Sequence, residues 1–233
     1  MNEQSYYSAY PAQQTGSLSI YTAKTFLWMF LGLMTTFGVA LFSLVSGITR
    51  TVAVNQAAII VLTILELAVV LGLSFRIQKI SVAGAFALFF AYAILNGVVF
   101  SVYFLIFNLV ELVFAVAATS LFFLITAVLG FVTKADLTRL RTFFMCSLIF
   151  MIVFWLLSMF INLSAFTTAV TCFGVFVFLA MTAYDTQKIK SYYYAFGNDS
   201  AMASKASIIA ALNLYLDYIN LLIHLLRLLG KKK

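Results

Sequence analysis

The chain has 233 residues, of which 64% are hydrophobic and only 9% charged, and its mean hydropathy is +1.09. A soluble domain carries about 25% charged residues, so this composition argues against a soluble enzyme, a nucleic-acid binder and a disordered protein. The formal net charge of +7 is read as membrane topology, because membrane proteins collect Lys and Arg in their cytoplasmic loops.

In chain order, residues 1–23 are polar, rich in Ser, Gln and Tyr, and contain the only proline, Pro11. They predict a disordered tail without the basic start and short apolar core of a cleaved signal peptide. Seven runs then approach the roughly 20 apolar residues that a membrane-crossing helix needs. They are Thr25 to Val45, Ala58 to Phe75, Val82 to Phe104, Val113 to Val132, Phe143 to Ile161, Phe166 to Tyr184 and Ile208 to Leu229. Continuous apolar character favours helices over the alternating strands of an outer-membrane barrel. The expected fold class is all-α: a polytopic seven-transmembrane-helix bundle over residues 24–230, followed by a basic tail, 231–233.

Charge counting sets the orientation. With the N-terminus cytoplasmic, that side holds Lys24, Arg76, Lys79, Lys134, Arg139, Arg141, Lys188, Lys190 and Lys205, against Arg50 alone on the other. A seventh crossing places Arg227 and Lys231 to Lys233 outside, against the rule, and the reading favours crossing over a helix that dips in and returns. Trp28 and Tyr192 to Tyr194 read as interfacial anchors, and Cys146 and Cys172 as packing residues. No phosphate-cradling glycine loop is present, a single histidine cannot build a multi-His zinc site, and the last span holds no lysine for a retinal Schiff base. No enzyme and no resident cofactor is expected.

Ionisable groups inside the bilayer cost at least about 2.5–3.5 kcal/mol each, which directs attention to Glu66, Asp185 and Asp217. Asp217 lies nine residues into the last span. Around it Asn213, Asp217, Asn220, His224 and Arg227 recur at helical spacing and form one polar stripe. The stripe faces the bundle interior or a watery cavity; the plainer account is hydrogen bonding between helices, with Arg227 reaching for the surface. Asp185, in AYDTQKIK, is either an interfacial acid paired with Lys188 and Lys190 or one half of a carboxylate pair with Asp217. Two carboxylates in one poorly solvated place share a proton, which makes a pH-sensitive latch and, once deprotonated, a weak set of Ca²⁺ ligands. Glu66 lines an aqueous path or is neutral and hydrogen-bonded. Arg76 is a possible counter-charge for Asp185 or a topology charge, and Asn96 a helix-packing residue.

At these residues a resemblance emerges. MTAYDTQKIK (181–190) and ALNLYLDYINLLIHLLRLLG (211–230), supported by TKADLTRL (133–140) and ILELAVVLGLSFR (64–76), resemble the transmembrane Bax inhibitor motif family. The resemblance implies a seven-helix protein that leaks Ca²⁺ in a pH-dependent way, with Asp185 and Asp217 as the pH-sensing pair and Glu66 as the family's acidic residue in the second helix. Arg76 stands for a basic residue that contacts the pair in relatives, and the loop from Ser191 to Ser207 is longer than in compact bacterial members. The expectation is a monomer in a bacterial plasma membrane, passing calcium ions under proton control. Two alternatives stay open: an interaction protein modulating a membrane-bound protease, as some bacterial relatives do, and an H⁺/Ca²⁺ antiporter.

Overall fold

A computed structural model describes residues 17–76, 79–158 and 160–230, leaving the side chains of 74–76 out. Among the described residues the structure is helical without strands, and seven helices are long and apolar enough to cross a membrane. In order they are α1 (Leu18–Ser46), the short α2 (Ile48–Val54), α3 (Gln56–Arg76), α4 (Val82–Phe100), the one-turn α5 (Tyr103–Ile106) and α6 (Leu109–Val132). A 3₁₀ turn (Leu137–Leu140) then leads into α7 (Arg141–Ser158), α8 (Ser164–Phe196) and α9 (Ser200–Leu229). The predicted disordered tail lies mostly outside the described residues, as does the basic tail 231–233.

Several helices run past their apolar cores because polar caps, not hydrophobicity, end them. α1 starts at Leu18 rather than Thr25, where the Ser17 hydroxyl accepts the Ile20 amide, and stops at Gly47, whose φ of 83° suits only glycine well. α6 starts at Leu109 rather than Val113, behind a reciprocal capping box in which Asn108 and Glu111 accept each other's amides. The largest departure concerns α8 and α9. The expected loop from Ser191 to Ser207 is helical at both ends: α8 continues to Phe196, and Asp199 caps α9 by accepting the amides of Ala201 and Met202.

This correction changes depths. At 1.5 Å per residue, the 33 residues of α8 span about 50 Å, well beyond a hydrocarbon layer of roughly 30 Å. Asp217 sits 17 residues from the start of α9, about 25 Å along its axis, not nine residues from it. The last helix also contains a lysine after all, Lys205, which is buried.

α9 is the central post. Of its most apolar stretch 72% is buried, against 6% for α3 and 11% for the α7 span. α1, α4, α6 and α8 pack around it, while α3 leans on α4 and α7 on α8. Since lipid tails are as apolar as the side chains, close packing rather than water exclusion holds such helices together. A Cβ on Gly130 would lie 2.2 Å from the Ala183 carbonyl oxygen, so glycine lets α6 touch the backbone of α8 two residues before Asp185.

Several aromatic and cysteine side chains lie elsewhere than expected. Trp28 packs its ring 4.4 Å from Phe86 and buries its indole N–H, and Tyr193 is buried against Tyr21, leaving Tyr194 as the exposed member of its run. Cys146 is exposed on the outside of α7, and both cysteines are free.

Gly130→Ala tests the α6–α8 contact: the added methyl has only backbone to move, so thermal unfolding in detergent should show a loss of about 1–3 kcal/mol, whereas Gly38→Ala, with open space around it, should show none.

Candidate functional site

The polar stripe of α9 forms three stations along the post. At the first, Asn213 Nδ2 donates to Asp185 Oδ1 at 3.3 Å, and Lys188 Nζ lies 3.8 Å from the same oxygen. Asp217 is 1% exposed, interacts electrostatically with both Asp185 and Lys188, and has one carboxyl oxygen buried without a hydrogen-bond partner among the described residues. The structure therefore brings the two expected aspartates together across the α8–α9 interface. It also supplies the plainer reading, since Asp185 does pair with Lys188. The spacing of one helical turn puts that cation on the same face of α8. Rings of Tyr184 and Tyr192, each 5.5 Å from Nζ, hold it in place. Lys190 turns away, donating to the Phe131 carbonyl and lying 4.2 Å from that ring's centre. The Arg76 side chain lies outside the described residues.

The second station is a cavity of about 370 Å³ between α3, α4, α7, α8 and α9. Glu66, Asn220 and His224 line it, and Glu66 Oε1 and His224 Nδ1 are buried there without partners among the described residues. Asn220 Nδ2 donates back to the Leu216 carbonyl at 2.8 Å, which leaves its Oδ1 as an acceptor. The His224 ring fits only because Gly174 faces it: a Cβ there would come within 2.4 Å of the imidazole. Asn96 does more than pack; its amide faces the Glu66 carboxyl and donates to Tyr92 Oη at 3.4 Å.

Beside this cavity a bonded pair ties the post to α1. Tyr215, fully buried, donates to Thr36 Oγ1 at 2.6 Å, and Thr36 passes its own hydrogen to the Ala93 carbonyl at 3.0 Å. Arg227, the last member of the stripe, is at a third station near the far end of α9. Glu66 and Asn220 thus belong to a different station from Asp185 and Asp217, joined to it along the surface of α9.

Gln187 was not singled out by sequence, yet it joins two of the motifs. Its Oε1 accepts the Leu137 amide at 3.0 Å and its Nε2 donates to the Ala135 carbonyl at 2.7 Å, which clasps the 133–140 loop to α8 two residues after Asp185. Within that loop Asp136 accepts from the Thr138 amide and hydroxyl, and these bonds hold its carboxyl below the usual carboxylate range. The only signal for the clasp was that two polar motifs end on the same side of the bundle.

Gln187→Ala should release the loop while leaving the bundle intact. Hydrogen exchange of the Leu137 amide should accelerate at least about fivefold, the equivalent of one ordinary hydrogen bond, with the exchange of α9 unchanged.

Residues 18–233 match the family model described as inhibitor of apoptosis-promoting Bax1. The inner membrane protein YbhL of Escherichia coli is 34% identical over 223 residues, 95% of each chain, and an uncharacterized protein of Deinococcus radiodurans is 35% identical over 209 residues, 89% of each. An uncharacterized membrane protein of Streptococcus pyogenes is 31% identical over 182 residues, 78% of each chain. Residues 18–233 take in all seven long apolar helices described and all three polar stations. The chain is a multi-pass membrane protein that belongs to the Bax inhibitor-1-like family.

Proposed function

We propose that the protein is a passive calcium leak whose opening is controlled by the Asp185–Asp217 pair. The observation that carries this reading is the burial of two carboxyls that interact electrostatically across α8 and α9, with a lysine and an amide beside Asp185. A purely structural hydrogen bond needs no such group, because an asparagine would serve without the cost of a charge in the membrane. While the pair holds a proton it joins the two helices. When that proton leaves, two like charges face each other with Lys188 as the nearest cation, and the helices part.

The parted carboxylates offer oxygen ligands suited to a hard cation, and the Glu66 cavity is the next acidic stop along α9. Few oxygens and no rigid cage favour weak binding and fast passage over storage. Calcium here is the permeant ion and not a cofactor, and the reading requires no catalysis and no second subunit. We place the N-terminus and the Asp185 end of the bundle in the cytoplasm on the charge pattern of the loops, and the protein in a bacterial inner membrane on its similarity to YbhL.

Calcium influx into dye-loaded liposomes tests this. In wild type, flux should rise as pH is raised through the titration of the pair; in Asp185→Asn and Asp217→Asn that dependence should vanish. Asp136→Asn is the control. Its carboxyl is held below the usual range, so its contribution is complete above about pH 4 and is lost only on further acidification. The neutral-range profile should therefore not move. Absence of flux at every pH in folded protein would remove the leak and favour an interaction protein acting on a membrane-bound protease. Uphill calcium movement driven by a pH gradient would make it an antiporter.

A further inference from the structure

The third station of the α9 stripe has no place in calcium passage as described, and its chemistry is opposite in sign. A second cavity of about 370 Å³ opens at the end of the bundle away from Asp185, between α5, the first turns of α8 and the last turn of α9. Arg227 enters it from α9, and Thr167, Thr168 and Thr171 line it from α8, while Ile106 and Phe107 make an apolar wall. No carboxylate pairs with Arg227 among the described residues. Thr171 has committed its hydroxyl hydrogen to the Thr167 carbonyl at 2.7 Å, but the Thr168 hydroxyl has no partner among the described residues and is free to donate. α8 begins at this end of the bundle, where Asn162 Oδ1 accepts its first amide, from Ser164, at 3.1 Å.

The sequence sharpens the question. Lys231, Lys232 and Lys233 follow directly, and a seventh crossing sets all of this charge on the face that membrane proteins keep poor in Lys and Arg. A guanidinium without an acid and a hydroxyl without a partner among the described residues, beside an apolar wall at one end of a membrane bundle, together call for an anion that carries a hydrocarbon chain. We propose that this cavity binds the phosphate of an anionic phospholipid. Arg227 supplies two parallel N–H donors to two phosphate oxygens, Thr168 supplies a third donor, and Ile106 and Phe107 receive the glycerol and the upper acyl chain. The site is independent of whether the protein passes ions.

The test is thermal unfolding of the full chain in mild detergent, titrated with phosphatidylglycerol or with diacylglycerol of the same chains, which lacks the phosphate. Phosphatidylglycerol should raise the wild-type midpoint saturably and diacylglycerol should not. Arg227→Gln should weaken the apparent affinity about tenfold, the worth of a charge-assisted hydrogen bond, and Arg227→Lys should weaken it less, because charge remains without the fork. Thr168→Val, on the rim of α8, provides a milder variant should Arg227→Gln not fold. Replacing Lys231, Lys232 and Lys233 together by Gln should leave saturable binding in place. Wild type without preference for the phosphate lipid, or equal affinity in Arg227→Gln and Thr168→Val, would overturn the site. Equal protection by inorganic phosphate would keep a phosphate site and overturn the lipid as its source.

Discussion

The structure depends on one constraint: its most polar transmembrane helix is also its innermost. In a bilayer a polar side chain left facing lipid has nothing to bond, so α9 with Asn213, Asp217, Asn220 and His224 along one face has to be enclosed on every side. The apolar remainder of the helix makes this feasible, since Leu212, Leu214, Leu221 and Leu222 are fully buried against the surrounding helices. The arrangement of α1, α4, α6 and α8 follows from the need to wrap this post, and the lipid-facing positions of α3 and α7 follow from there being no room left around it.

Enclosure alone does not satisfy the polar groups, and they are satisfied to different degrees. Tyr215 and Thr36 bond fully, to each other and to the Ala93 carbonyl, and fix α9 against α1 and α4. Asp217, Glu66 and His224 keep an atom with no partner among the described residues. A buried group left unsatisfied costs about 1–3 kcal/mol, and the three such groups of the stripe and cavity lie on the same route along α9. Part of the unsatisfied polarity thus collects around Asp217, Glu66 and His224, and the rest lies on Tyr21, Thr22, Trp28, Ser43 and Thr186 of α1 and α8.

The number of spans, their order and the stripe itself were legible because lipid imposes length and helical geometry imposes spacing. Asp185 and Asp217 could be paired from topology plus the resemblance. What stayed hidden was set by water and by contacts between distant segments. The run from Asp185 to Phe196 is too polar to read as a span, yet it remains helical, because an α-helix leaving the bilayer needs only its own backbone bonds and a stop such as Gly197. The Gln187 clasp joins residues about 50 apart in sequence, a distance over which no local pattern speaks. Lys188 was visible as a partner of Asp185, but its place between two tyrosine rings was not, and Asn96 looked like packing until α3 brought Glu66 to it.

The central position of α9 also has a consequence in time. Synthesis proceeds from the N-terminus, and early segments fold first; here the helix around which α1, α4, α6 and α8 close follows all of them in the sequence. Before α9 is in place Thr25 lacks Ser207 and Thr36 lacks Tyr215, although each hydroxyl keeps a bond to a carbonyl of α1. A chain without α9 therefore keeps its six earlier apolar spans and lacks the helix against which α1, α4, α6 and α8 pack, so its defect lies at the centre and not at an edge.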